Sequence, residues 1–198
     1  MNSDIVNNLL LFASNKQTYQ ENEILFLEDD ACHQIAYVIS GEIIIRSVTR
    51  DGNEFVIQVV GVGQFFGDVL LLAETNVYLG NVIARKAATV AFFETDQFIK
   101  MLQSSNEILI YYLKHLADKT FRLKQDLKLL GLPTLRDRLL FYFDSESKKQ
   151  NQKTIVVPIT REDLATLLNV RRPSLSRELS RMQKARLITV NRRFITLI

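Results

Sequence analysis

The chain has 198 residues, of which 47% are hydrophobic and 24% charged, enough for one large domain or two small ones with real cores. Its longest apolar runs fall far short of the ~20 residues that span a bilayer, and its first residues lack the basic flank and cleavage site of a signal peptide. Cys32 is the only cysteine, which excludes an internal disulfide and fits a reducing compartment. These features predict a cytoplasmic protein without a membrane partner.

The formal charge is unevenly distributed along the chain. Residues 1–133 hold 11 Lys and Arg against 16 Asp and Glu, a net of −5, whereas residues 134–198 hold 14 against 6, a net of +8. The basic last third would attract a polyanion through its summed charge, and salt would weaken that attraction steeply.

The first hundred residues predict a small β-domain. A short helix capped by Ser3 is expected over 3–13. Runs rich in β-branched and aromatic residues predict strands at 24–27, 35–39, 42–48, 54–60, 77–84 and 88–94. Asp51 and Gly52 are typical of a tight hairpin turn, and Ser40 with Gly41 indicates another turn. Strands this short and closely spaced predict a small barrel or jelly roll.

A heptad pattern predicts a long helix in the region that begins at Asp96. Seven residues follow one another at alternating spacings of four and three: Leu109, Leu113, Leu116, Thr120, Leu123, Leu127 and Leu130. Such a seam packs either on its own domain or on the same seam of a second chain. A further apolar set lies off the seam, at Ile108, Tyr111, Tyr112 and Phe121. One face would then cover the β-domain and the other a partner, which favours a dimerisation helix.

Gly131 and Pro133 are expected to end this helix, because glycine suits a left-handed cap and proline cannot continue a helix. Thr134 then caps a new helix. We therefore predict three regions: a β-barrel domain over 1–104, a dimerisation helix over 105–131 and a third domain over 132–198. The polar stretch 145–153 is expected to form a surface loop.

Residues 160–182 predict two helices joined by a tight turn. Thr160 would cap the first helix, Asn169 suits the left-handed turn, and Pro173 suits the first turn of the second helix. The buried stripe is expected to consist of Leu164, Leu167, Leu168, Leu175, Leu179 and Met182. A hairpin over 187–198, turning at residues 191–193, would add a wing.

The opposite face of the second helix is basic. Arginine can grip guanine O6 and N7 in the major groove, and hydroxyl and N–H groups at a helix start suit phosphates. The predicted DNA-binding residues are Thr160, Arg171, Arg172, Pro173, Ser174, Ser176, Arg177, Arg181, Arg192 and Arg193. Glu178 would orient an arginine or accept from a cytosine amino group. The alternative is a winged helix that only packs against protein, for which arginines on one face would have no purpose.

Taken in this order, these regions resemble the cAMP receptor protein/FNR (Crp/Fnr) family of bacterial transcription regulators. The resemblance covers nearly the whole chain and is carried by residues 23–28, 35–42, 63–68, 134–139 and 160–182. It implies an α+β fold with an N-terminal β jelly-roll of the cyclic-nucleotide-binding type, a long dimerisation helix and a C-terminal winged helix-turn-helix. It also implies a homodimer on a two-fold symmetric operator in double-stranded DNA, with recognition helices ~34–36 Å apart, and RNA polymerase as a further partner.

The resemblance also assigns individual positions. Arg172 and Arg177 fall on the family's two base- and phosphate-contacting arginines. Pro173 stands where several members place a glutamate that reads a base, so the half-site is expected to differ at that base. In members that bind cAMP, a glutamate holds the ribose and an Arg-Ser pair holds the phosphate. Here those positions carry Asp68 and residues 78–79, Tyr and Leu, so we do not expect cyclic-nucleotide binding.

Other effectors of the family lack their chemistry here. An iron–sulfur cluster needs several cysteines, and the two histidines, His33 and His115, lie in different elements, so neither this cofactor nor haem is expected. An apolar effector pocket is a remaining candidate, lined by Phe66, Gly67, Asp68, Leu71, Tyr78, Leu79, Leu116 and Leu123. A collapsed pocket in a protein that is active without any effector is equally compatible with the sequence.

The two alternatives to a regulator are an enzyme and a signalling module. Metal-dependent enzymes on small β-barrels need clustered His and Glu ligands, which two dispersed histidines do not supply, so neither a metal site nor an enzyme is predicted. A signalling module that keeps the fold without binding promoters is the remaining alternative. Salt-dependent and sequence-selective DNA binding would separate it from a regulator.

Overall fold

The computed structural model describes residues 3–48, 54–74, 76–157 and 159–198. The chain divides into two compact units, residues 1–119 and 120–198. The fold is α+β: strands dominate the first unit, and helices with a small sheet form the second. Within the described ranges, no helix combines the length and apolarity needed to cross a membrane.

The first unit is built around one six-stranded antiparallel sheet. Its strands are β1 (Asn15–Tyr19), β2 (Ile24–Phe26), β3 (Ile35–Val48), β4 (Glu54–Val60), β5 (Phe65–Phe66) and β6 (Asn81–Phe93). Its helices are α1 (Ser3–Leu10), α2 (Asp68–Leu72), α3 (Thr95–Ser104) and α4 (Asn106–Leu130), of which α4 continues into the second unit. The order across the sheet is β1-β6-β3-β4, with β2 paired to β6 and β5 to β3.

Alternation along the strands divides the buried residues into two clusters, since successive side chains of a strand point to opposite faces. On β3, Ala36 and Val38 join one cluster, the sheet core, which also contains Tyr78. Ile35 and Tyr37 join the other, the helix core, against which α1, α3 and α4 pack. The period-two pattern therefore places α4 on a defined face of the sheet.

Two strands are longer than predicted. The expected strands 35–39 and 42–48 form a single strand, β3, and residues 40–41 produce irregularities in its pairing with β6 rather than a turn. Gly41 has a φ of 81°, and a Cβ there would lie 2.2 Å from the carbonyl oxygen of Ala87, so only glycine permits this approach. Likewise, the expected strands 77–84 and 88–94 are one strand, β6, with Val77 in an isolated bridge.

The predicted turn at Asp51 and Gly52 lies outside the described residues. On either side of it, β3 and β4 pair in antiparallel register, Val48 opposite Glu54. The strand pairing that such a turn would connect is therefore present.

The second unit has a helical core closed by a three-stranded sheet. It contains α5 (Leu135–Gln150), β7 (Thr154–Val156), α6 (Arg161–Leu167), α7 (Arg172–Lys184), β8 (Ile188–Asn191) and β9 (Phe194–Leu197), with strand order β7-β9-β8. Leu139, Phe143 and Ile155 lie at the centre of its core and are fully buried. Strand β7 was not predicted, because three residues carry too little alternation.

The prediction of a surface loop over 145–153 was wrong for most of that range, because α5 continues to Gln150. Glu146 is buried and pairs with Lys149 at 2.8 Å. The Gln150 side chain bonds both the N–H and the carbonyl of Val156. These polar residues thus join the helix to β7, and Asn151 ends the helix with a φ of 50°.

Helix α4 ends at Leu130, as Gly131 and Pro133 predict. The division into compact units, however, falls within α4, at residues 119 and 120, rather than after it. The last turns of α4 pack with the second unit: Leu129 is buried in its core, and the ammonium of Lys128 lies 5.2 Å from the ring centre of Phe141.

Candidate nucleic-acid interface

The first helix of the predicted pair starts at a complete capping box. The Thr160 hydroxyl accepts from the N–H of Asp163 at 3.1 Å, and the Asp163 carboxylate accepts from the N–H of Thr160 at 3.4 Å. Two N–H groups that the helix leaves unpaired are thereby satisfied. The predicted cap is confirmed, so the Thr160 hydroxyl already has a structural role in α6.

The turn between α6 and α7 follows the prediction. Asn169 has a φ of 52°, and the N–H of Val170 bonds the carbonyl of Ala165 at 2.9 Å. Pro173 lies in the first turn of α7, where its missing N–H has no cost. Of the predicted buried stripe, all but the half-buried Leu167 are buried: Leu164, Leu168, Leu175, Leu179 and Met182.

The opposite face of α7 is exposed and basic. An open groove of about 350 Å³ runs along it, lined by Ser176, Arg177, Ser180, Arg181 and Lys184. The guanidinium of Arg177 folds back along its own helix, 3.4 Å from the Pro173 carbonyl and 3.3 Å from the Ser174 hydroxyl. These are long contacts to exposed groups, so the guanidinium can turn outward to an acceptor on DNA.

A second groove, of about 460 Å³, lies between the start of α6 and the wing. Its lining includes Thr160, Arg172, Arg192 and Arg193 from the predicted set, together with Arg161, Glu162, Val157 and Ile159. The wing turns at Arg192, which has a φ of 54°. Three separated segments thus bring guanidinium groups to one concave surface, where the Glu162 carboxylate lies 3.5 Å from Nη1 of Arg172.

Arg161 was missed by the prediction. Its Nη2 lies 3.3 Å from the carbonyl of Arg192, while its Nη1 is buried and makes no hydrogen bond to any part of the chain that the structure describes. Burial also lowers the pKa of Arg161. A cation in the first turn opposes the helix dipole, and this unfavourable placement was the signal in the sequence that could have indicated a function.

Glu178 does not face the groove. Its carboxylate accepts from Nε of Arg136 on α5 at 2.8 Å and lies 3.5 Å from Nη1 of Arg181. Of the two roles that the sequence allowed for Glu178, the geometry favours orienting an arginine over accepting from a cytosine amino group.

The leucine seam of α4 is largely exposed in the single chain. Five of its residues have exposed fractions between 36% and 64%: Leu109, Leu113, Leu123, Leu127 and Leu130. Thr120 is also exposed, and Leu116 is half-buried against the helix core. Ile108 and Tyr112 are buried in that core, as expected of the second apolar set. Phe121 differs, since it is 61% exposed.

The residues of the predicted effector pocket lie in different parts of the described structure. Phe66 and Tyr78 are buried in the sheet core, where Tyr78 stacks on Phe26 with ring centres 4.6 Å apart, and Leu71 packs against the same core. Leu79 is 61% exposed, because its side chain points away from the core that buries the preceding residue, Tyr78. Leu123 belongs to the second unit, and Leu116 packs in the helix core.

Asp68, next to Gly67 at the start of α2, is fully buried and already paired. It accepts from the ammonium of Lys119 at 2.9 Å and from the hydroxyl of Tyr112 at 3.4 Å. Both partners lie on α4, and burial beside the Asp68 carboxylate raises the pKa of Tyr112. A neighbouring tyrosine on α4, Tyr111, bonds the carbonyl of Gly63 at 2.9 Å. Helix α4 is therefore tied at three points to the segment 63–68.

The positions that the resemblance assigns to the ribose and the phosphate carry other side chains here. The carboxylate at the ribose position is held by Lys119, and Tyr78 with Leu79 supplies no cation for a phosphate. The nearby cations Arg85 and Lys86 lie 3.5 and 3.3 Å from the carboxylate of Glu42. A buried phosphate without a cation would cost several kcal/mol.

Replacing Lys119 with methionine is expected to lower the free energy of unfolding by about 2 kcal/mol, because it leaves the Asp68 carboxylate buried with one weak donor. Urea unfolding measures this change. The control is Lys114→Met on the same helix, where the lysine is exposed, and it is expected to leave the midpoint unchanged. Equal midpoints for the two variants would contradict the Asp68–Lys119 pairing.

A β-rich domain, a long helix and a winged helix-turn-helix with a basic second helix together define a DNA-binding transcription regulator. Two family models match the chain: a cyclic nucleotide-binding domain over residues 16–105 and a Crp-like helix-turn-helix domain over residues 134–198. The chain belongs to the Crp/Fnr family of transcription regulators.

Similar proteins agree with this assignment. The chain is 27% identical to the probable transcriptional regulator flp of Lacticaseibacillus casei, over 88% of this chain and 79% of that protein. It is 22% identical to the cAMP-activated global transcriptional regulator CRP of Haemophilus influenzae, over 77% of this chain and 70% of that protein. The c-di-GMP responsive global regulator CLP of Xanthomonas campestris superposes with a TM-score of 0.72 at 20% identity, covering 99% of each chain, which establishes the shared fold.

Proposed function

We propose that the protein is a cytoplasmic homodimer that binds a two-fold symmetric operator in double-stranded DNA and does not respond to cyclic nucleotides. The observation that carries the proposal is the exposed basic face of α7, with Arg177 and Arg181 along one groove. DNA as the target and a buried lone cysteine, Cys32, fit the cytoplasm.

Dimerisation is supported by the seam of α4. Five exposed residues at heptad spacing, on a helix of 25 residues, leave an apolar stripe in water. Exposed stripes of this kind are typical of coiled-coil interfaces. A second copy would bury the stripe and bring two α7 helices to one DNA duplex, because a two-fold interface uses the same surface on both chains.

Operator selectivity is assigned to Arg172 and Arg177, with phosphate contacts from Ser174, Ser176, Arg171, Arg181, Arg192 and Arg193. Pro173 offers neither a donor nor an acceptor in its side chain. The base that faces Pro173 in the operator is therefore read only through DNA shape or a methyl contact. RNA polymerase is proposed as a further partner from the family resemblance alone. Enzymatic activity forms no part of the proposal.

The effector is proposed to be either absent or a small apolar molecule. The filled sheet core and the internal Asp68–Lys119 pair favour the absence of an effector. Isothermal titration calorimetry is expected to give no heat of binding for cAMP or cGMP up to about 1 mM, where a specific site would have saturated. Micromolar binding of either nucleotide would contradict this part of the proposal.

Selection of duplexes from a random DNA library tests the whole proposal. The protein should enrich a palindromic sequence whose half-sites lie one helical turn apart. A parallel selection with cell-extract metabolites reports whether an effector is required. Absence of any enriched sequence in both selections would favour a module that keeps the fold without binding promoters.

A further inference from the structure

The carboxylate of Glu178 lies between two arginines of the second unit, Arg136 on α5 and Arg181 on α7. Its side chain is only 12% exposed, although its neighbour Arg177 faces the open groove. Oε1 accepts from Nε of Arg136 in the first turn of α5, and Oε2 faces Nη1 of Arg181 one turn further along α7. Both oxygens face guanidinium groups of the same chain, which favours a structural role for Glu178 over reading a base.

We propose that Glu178 is a positioning residue for DNA binding, which is itself bonded to Arg136 and holds Arg181 in the orientation that contacts the DNA backbone. The inference rests on the proposed function and adds an acidic residue to it. Arg177, Arg181 and Lys184 follow one another at spacings of four and three and line the same groove, so the direction of Arg181 decides whether this basic lining is continuous.

Positioning matters here because the arginines are long and exposed. The side chain of Arg181 is 71% exposed and that of Arg136 is 43% exposed. An arginine side chain that rotates freely in the unbound protein loses conformational entropy when it binds a phosphate. A carboxylate that already restricts the side chain reduces this entropy loss. The anchor is itself rigid, since Glu178 lies between the buried residues Leu175, Leu179 and Met182 on its own helix.

The sign of one substitution separates positioning from simple electrostatics. Glu178→Gln keeps the size of the side chain and removes one negative charge per chain. If Glu178 only repelled phosphates, this variant would bind every duplex more tightly. Under the proposal, the variant binds the selected operator about tenfold more weakly, because the charge-assisted contacts that hold Arg181 are lost, while its affinity for a scrambled duplex stays equal or rises.

The matched control is Asp144→Asn on α5. Asp144 is exposed and pairs with Lys148, so this variant makes the same change in charge away from Arg136 and Arg181. It is expected to leave the ratio of specific to non-specific affinity unchanged. Thermal unfolding of both variants checks that each remains folded.

A second variant tests the proposal without touching a half-buried residue. Arg181 is exposed, so the variant Arg181→Met is expected to fold normally. It should weaken operator binding by a similar factor and lower the slope of log affinity against log salt by about one per chain. The double variant, which combines Glu178→Gln with Arg181→Met, should bind the operator no more weakly than Arg181→Met alone, apart from any loss of affinity that acts through Arg136.

Fluorescence anisotropy on the selected and scrambled duplexes, over a range of salt, measures the wild type and all four variants. A tenfold loss in Glu178→Gln with a non-additive double variant supports the inference. Equal or tighter operator binding by Glu178→Gln, or unchanged affinity in Arg181→Met, overturns it. The proposed function fails separately, in the wild-type arm, if the unsubstituted protein shows no preference for the selected duplex.

Discussion

Arg177→Ala is expected to lower the affinity for the operator by about 100-fold or more, because one bidentate arginine–guanine contact is worth about 1–3 kcal/mol and a dimer makes two of them. The residue lies on the exposed face of α7, and its contacts in the free chain are long and confined to its own helix. Its removal therefore takes nothing from the core. The thermal midpoint and the oligomeric state should both be unchanged.

Lys100→Ala is the charge-matched control for Arg177→Ala. Lys100 is exposed on α3, in the first unit. Its loss is expected to change operator affinity by less than twofold, since Lys100 belongs to none of the predicted DNA-binding segments. Gel-shift titration on the selected duplex compares the two. Equal affinity of Arg177→Ala and the wild type would remove Arg177 from the recognition set.

Leu127→Glu is expected to raise the dimer dissociation constant by more than about 1,000-fold, because a two-fold interface would bury the new carboxylate twice without a partner. Leu127 is 64% exposed in the single chain, so the substitution should leave the fold of each protomer intact. Loss of the dimer should also abolish tight operator binding, since one recognition helix alone makes half of the base contacts. Sedimentation over a range of protein concentrations measures the constant.

Gln125→Glu supplies the matched control for Leu127→Glu. It introduces the same charge two residues away on α4, at an exposed position outside the seam, and is expected to leave the dimer unchanged. If Leu127→Glu sediments as the wild type does, the seam is not the interface. The exposed apolar stripe would then need a different occupant.

The elements with the strongest periodicity were predictable from the sequence. The heptad of α4, the Thr160 cap, the left-handed Asn169 and the buried residues of α6 and α7 all depend on local patterns that the surrounding structure reinforces. The full length of β3 was not predicted, because a bulge at Gly41 and a turn have the same local composition. Only the carbonyl of Ala87, distant in sequence, distinguishes them.

The candidate sites were predicted unevenly for a similar reason. The basic face of α7 follows from spacing along one helix, whereas the Asp68–Lys119 pair joins residues 51 positions apart. The Arg136–Glu178 bond spans 42 positions. No local pattern reports such pairs. Several residues of the predicted pocket, which were chosen for their apolarity, pack in the two cores of the first unit.

The central claim is that two copies of α7 read one duplex through their arginine faces. Hydroxyl-radical footprinting of the wild-type protein on the selected operator tests it most directly. We expect two protected regions related by a two-fold axis, with centres about 10 base pairs apart, and Arg177→Ala at the same protein concentration should leave neither. A single protected half-site, or uniform protection along the duplex, would contradict the claim.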